Sequence, residues 1–148
     1  MKTLLCAMIF FTLLACTSTP QQPEKATLEI RLTESEPGEG LTEVVFETSG
    51  ETFYLHPEVV LTNEDIASAS VTRWEDRPAV DLTLTEAGKE KFAEFTGANI
   101  GKRAAMLVNG KLVTAPIIRA PILEGRALIN GDFTEQEAKR IADGLMVK

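Results

Sequence analysis

From Leu28 the chain alternates apolar and polar positions, with Leu28, Ile30 and Leu32 separated by Glu29 and Arg31, the period of a half-buried strand. Residues 34–42 carry Pro37, Gly38 and Gly40 and read as a loop. Two short strands follow at Val44–Phe46 and Phe53–Leu55, separated by a turn at Ser49-Gly50-Glu51. Thr62–Asp65 has the composition of a helical turn or cap. Ser68–Trp74 and Ala79–Leu84 form a further strand pair around Glu75-Asp76-Arg77-Pro78.

The period then changes to that of a helix. Thr85 serves as N-cap and Glu86 complements the positive end of the dipole. Gly88, Phe92 and Phe95 share one face, opposite Lys89, Glu90, Lys91 and Glu94. Ala104–Val108 and Lys111–Ile118 flank Asn109-Gly110, the pair that best tolerates the two positive φ angles of a tight hairpin. Pro116 restricts the second of these strands to an edge or to its own end. A strand at Arg126–Ile129 closes on Asn130-Gly131-Asp132. The last helix opens on a capping box, Thr134 with Glu137, and buries Ala138, Ile141, Ala142 and Leu145. The fold class expected is α+β, a mainly antiparallel or mixed sheet with two helices packed on one face.

Upstream of this domain the pattern is different. Lys2 precedes an apolar run, Leu4–Ala15, which is too short for the roughly 20 residues that span a bilayer core. It is read as a signal peptide over residues 1–15. Leu13-Leu14-Ala15-Cys16 resembles a bacterial lipobox, so Cys16 is the expected lipid attachment site. Thr17–Lys25 is polar and proline-bearing, which makes residues 16–25 a lipidated terminus and flexible tether, and residues 26–148 the single folded domain. Thr17 directly after the cysteine resembles the pattern sorted to the outer membrane, on its periplasmic face, in enteric-type bacteria. With Cys6 removed and Cys16 acylated, no thiol chemistry is expected of the mature chain.

Composition narrows the function further. A formal charge of −7 argues against nucleic acid as a partner. One histidine and two cysteines leave no zinc-finger set and little for a metal centre. The stretch Gly97–Arg103 has three residues between its glycines where a phosphate loop needs four, and an arginine where magnesium needs Ser or Thr; it reads as a helix exit. His56 stands alone, as a structural or surface residue. Trp74 is either a binding aromatic or a cover for the sheet edge. No catalytic residue, cofactor site or metal site emerges, and no enzyme activity is expected.

Several blocks resemble one family. Val60–Val71, Pro78–Gly88, Phe92–Arg103, Asn109–Arg119 and Gly125–Thr134 are similar, in the same order, to the head subdomain in the first periplasmic domain of the SecD protein-export family, and Leu28–Leu32 resembles the strand that precedes it. The resemblance implies the head fold and contact with a translocating polypeptide. In the family that contact is coupled to a proton-conducting membrane bundle; no six-helix membrane segment is seen here, so proton-driven pulling is not expected of this chain alone. Two function classes follow. One is a lipid-anchored envelope module that binds polypeptide, either secreted chains or an envelope protein of the Sec machinery. The other is a divergent envelope lipoprotein that uses the fold as a structural or ligand-binding module.

Overall fold

The computed structural model describes residues 22–148, so the expected signal peptide and Cys16 lie outside the described residues. The strands are β1 (Leu28–Glu34), β2 (Thr42–Phe46), β3 (Glu51–Leu55), β4 (Ile66–Trp74), β5 (Arg77–Leu84), β6 (Arg103–Val108), β7 (Lys111–Thr114) and β8 (Arg126–Asn130). The helices are α1 (Glu86–Ala98) and α2 (Glu135–Leu145), with a 3-10 turn at Asn63–Asp65. The α+β reading and the two helices hold. The strands, however, divide into two sheets, ordered β2-β3-β1-β6-β7 and β4-β5-β8, and every ladder is antiparallel.

The main core lies between one face of each sheet and the helices. Leu28, Ile30 and Met106 of the larger sheet meet Val80, Leu82 and Ile129 of the smaller one, with Phe92 from α1 and Ala142 and Leu145 from α2. A smaller core of Phe53, Leu55, Ala105, Leu107 and Leu112 fills the opposite face of the larger sheet. It forms because the β2–β3 hairpin curls back over that face and reaches β7, where Glu47 approaches Lys111 at 3.3 Å.

This second core changes the reading of β1. Leu32 is only half-buried, whereas Thr33 is buried and donates its hydroxyl to the Tyr54 carbonyl at 3.0 Å. The shift falls where β3 joins β1, at Thr33 and Glu34. A polar residue is therefore buried at a junction between ladders, with its hydrogen bond made.

The helices follow their sequence signals. Thr85 Oγ1 accepts the Gly88 amide at 3.1 Å, and Gly88 lies so close to Asp65 that a Cβ would sit 2.6 Å from its carbonyl oxygen. Lys91 adds a 2.7 Å bond to the buried Asp65 carboxylate. At α2, Thr134 and Glu137 exchange both bonds of the capping box. Asn109 and Gly110 both adopt positive φ, and β7 ends at Thr114, before Pro116.

Candidate functional site

The β4–β5 hairpin is tighter than its sequence suggests. Its strands run to Trp74 and Arg77, leaving only Glu75 and Asp76 in the turn, at φ +48° and +63°. Two consecutive non-glycine residues in the left-handed region carry strain. The Arg73 guanidinium steadies the turn by donating to the Asp76 carbonyl at 2.6 Å. Pro78 is tolerated because its β4 partner is Arg73 and the β8 ladder begins only at Ala79, so no ladder bond needs its missing N–H.

Beta-strand β4 forms one edge of the smaller sheet along nine residues. Ile66, at its start, donates its amide to the Asn63 carbonyl of the 3-10 turn; from Ala67 to Trp74 the backbone makes no hydrogen bond outside the β5 ladder among the described residues. An antiparallel ladder closed by a two-residue turn alternates bonded and non-bonded pairs. Trp74 and Arg77 are the first bonded pair, so Ala69, Val71 and Arg73 present their N–H and C=O groups to the open side. Val71 is exposed, as are Ser68, Ser70 and Arg73.

The strand ends beside a groove. An open hollow of about 370 Å³ lies between the β4–β5 turn and the edge strands of the larger sheet. Phe46, Trp74, Pro78 and Val113 supply its apolar lining, and Glu75, Arg77 and Asp132 its polar rim. Trp74 is 49% exposed, so its indole neither fills a core nor closes the groove. Arg77 and Asp132 approach to 3.7 Å across exposed surface, a contact too weak to lock the rim. Across the bottom, Thr114 Oγ1 meets Asn130 Oδ1 at 3.2 Å and joins β7 to β8. The two edges are thereby held in a fixed relation.

A second apolar hollow, about 290 Å³, lies between α1 and the segment after Pro116. That segment is pinned by the Ile122 amide donating to Thr96 Oγ1 at 2.9 Å, and it leaves Ile117 and Leu123 exposed.

The other residues singled out in the sequence are tied up in structural contacts. His56 Nε2 lies 3.2 Å from Glu34 Oε1, and Lys102 approaches the same oxygen at 3.4 Å. The Glu34 carboxyl is held below its ordinary range, first by the His56 hydrogen bond and then by Lys102. Gly97–Arg103 is the exit of α1, with Gly101 at φ +89°. Arg103 is spent on the Ala115 carbonyl at 2.8 Å and on the face of Phe53. Among the described residues, no group of three His, Cys, Asp or Glu side chains is placed to hold a metal ion. No helix among them is long and apolar enough to cross a membrane.

The open edge of β4 escaped the sequence reading, although its polar face (Ser68, Ser70, Thr72) was visible there. A strand's place at the edge or the centre of a sheet depends on tertiary pairing, which alternation does not encode.

This α+β fold of two sheets and two helices has structural relatives. It superposes on the solved structure of SecDF, described as a membrane component that enhances protein export, with a TM-score of 0.67 and 31% identity over 83% of this chain and 63% of that one. A crystal structure of SecDF in a super-membrane-facing form also gives 0.67, at 32% identity, over 83% of this chain and 19% of that one. The family of the SecDF P1 head subdomain matches residues 40–146, and the chain belongs to it. Among curated relatives, the protein translocase subunit SecDF of Thermus thermophilus is 45% identical over 84 residues, which is 56% of this chain and 11% of the relative. Protein translocase subunit SecD of Aquifex aeolicus is 41% identical over 93 residues, which is 62% of this chain and 18% of the relative. The chain therefore spans under one fifth of the length of these two relatives.

Proposed function

We propose that this chain is a lipid-anchored envelope protein whose head domain binds extended polypeptide, as an accessory to protein export alongside the Sec machinery. The observation that carries the reading is the free edge of β4, whose last residue, Trp74, lines the groove. An exposed edge offers main-chain hydrogen bonds to any extended chain, and pockets beside it select side chains. Natural sheets usually blunt such an edge with charge, proline or a covering element. Here only Arg73 does so, at one end, and the bulge between Ile66 and Ser68 lies at the other. Membership of the SecDF head family supports export as the setting, and the lipobox-like Cys16 supports attachment to the membrane on the periplasmic side.

Titration calorimetry of the purified full-length chain with a polypeptide held unfolded, and with the same polypeptide folded, tests this reading. The unfolded form binds and the folded form does not. Val71→Pro removes an outward N–H without touching the β5 ladder, and it weakens binding. Equal behaviour of the two forms, or indifference to Val71→Pro, contradicts strand addition.

A further inference from the structure

The walls of the Trp74 groove carry unequal charge. On one side Phe46 is followed by Glu47 and stands in register with Glu51 across the β2–β3 hairpin. On the other, Trp74 is followed by Glu75 and Asp76, and Asp132 closes the rim. Of these five carboxylates, Glu75 and Asp132 line the groove together with Arg77, and Glu47, Glu51 and Asp76 adjoin lining residues; the cations beside them are Arg73, Arg77 and Lys111. Arg73 is committed to the Asp76 carbonyl, and Lys111 and Arg77 make only exposed contacts, with Glu47 at 3.3 Å and Asp132 at 3.7 Å.

The surplus continues along the chain. From residue 34 to 51 there are six glutamates, Glu34, Glu36, Glu39, Glu43, Glu47 and Glu51, and neither lysine nor arginine. This segment forms the end of β1, the following loop and the hairpin that makes one wall of the groove. The potential over the groove is therefore negative, beside an apolar lining that includes one half-exposed indole. An aromatic face attracts cations as well as apolar groups.

We infer that the groove selects polypeptide segments in which lysine or arginine flanks an aromatic or aliphatic residue. The apolar side chain seats against Phe46, Trp74 and Val113, while the cation meets the carboxylates of the rim. The segment's backbone extends along β4. This inference rests on the polypeptide-binding reading above and adds to it which polypeptides are held. A second copy of this chain is a poor occupant, because its own acidic surface is repelled by the rim.

Trp74 is the single tryptophan of the chain, so its emission reports the groove directly. Three unfolded peptides of equal length, sharing one Phe-Leu core and flanked by lysines, serines or glutamates, are titrated into the full-length protein. At low salt the lysine peptide binds about fivefold tighter than the serine peptide, and the glutamate peptide is weakest, as expected for a few exposed charge pairs. The ranking collapses near 1 M salt, where screening extends only about 3 Å. It also collapses in the variant combining E47Q, E51Q, E75Q and D132N, which still binds the serine peptide.

Equal affinities for the three peptides overturn the selection and leave polypeptide binding standing. A lysine preference that survives in the neutralised variant moves the selection away from this groove and overturns the assignment. If no peptide changes the emission and calorimetry registers no heat, both readings fall. A shift of emission with protein concentration alone assigns the groove to a second copy and overturns the peptide proposal.

Discussion

The side-chain amide of Asn63 donates to the Ala26 carbonyl at 2.7 Å, fastening the first residue of the folded domain to the turn that launches β4. The same nitrogen reaches the Leu145 carbonyl at 3.3 Å, and Oδ1 accepts the Leu28 amide at 2.7 Å. One side chain thus ties together the start of the domain, the base of β4 and the end of α2. Asn63→Ala leaves three backbone groups short of a partner in a half-buried setting. It should cost about 1–3 kcal/mol in denaturant unfolding. A loss of only a few tenths would show that water replaces the amide.

Gly88 sits inside α1, where alanine would ordinarily favour the helix by up to about 1 kcal/mol. Its Cβ would, however, meet the Asp65 carbonyl oxygen at 2.6 Å and the Asp65 Cβ at 2.9 Å. Both belong to the turn beneath the helix, and backbone does not yield cheaply. Gly88→Ala should therefore destabilise by about 1–3 kcal/mol, read as a lowered melting temperature. A stabilised variant would contradict the close approach.

Glu34 gives a pH dependence of known sign. Its folded-state pKa lies below the ordinary carboxylate value, chiefly because His56 donates to it. Its stabilisation is therefore present above the unfolded carboxylate range and lost as pH falls through the folded value. The carboxylate is more than a third exposed, so solvent screening limits the effect to a few tenths of a kcal/mol. The stability difference between the wild type and Glu34→Gln should be small above the carboxylate range and should shrink as pH falls through it. A difference that grows on acidification would reverse the assigned sign.

Cys16 is the expected attachment site, and its replacement isolates the anchor from the fold. Cys16→Ser should abolish incorporation of labelled palmitate and shift the protein out of the membrane fraction. The head domain should melt at an unchanged temperature, because residues 26–148 carry the core. Retained labelling would remove the lipoprotein reading.

Local signals were legible in the sequence wherever a residue type answers a local need. Asn109-Gly110 takes the positive φ of its hairpin, Thr134 and Glu137 cap α2, and the spacing of Gly88 and Phe92 marks the buried face of α1. The division into two sheets was not legible, because alternation reports burial and not partners. Leu32 and Thr33 exchange their expected burial for the same reason, since a third strand joins β1 only at its end. The groove escaped because its walls come from the two hairpins 46–51 and 74–77, separated in sequence and joined only by folding. Trp74 stands out in the sequence as the single tryptophan, but only the sheet order shows that it stands at the end of an open strand.

If extended polypeptide lies along β4 beside Trp74, a crosslinker placed on that edge in living cells captures it. A photoreactive residue replacing Val71 in the full-length chain is compared with one replacing Lys139 on the exposed face of α2. After a pulse of labelled synthesis, exported chains in transit should be captured from position 71 and not from 139. Equal capture from both positions, or none from 71 while export proceeds, would contradict it.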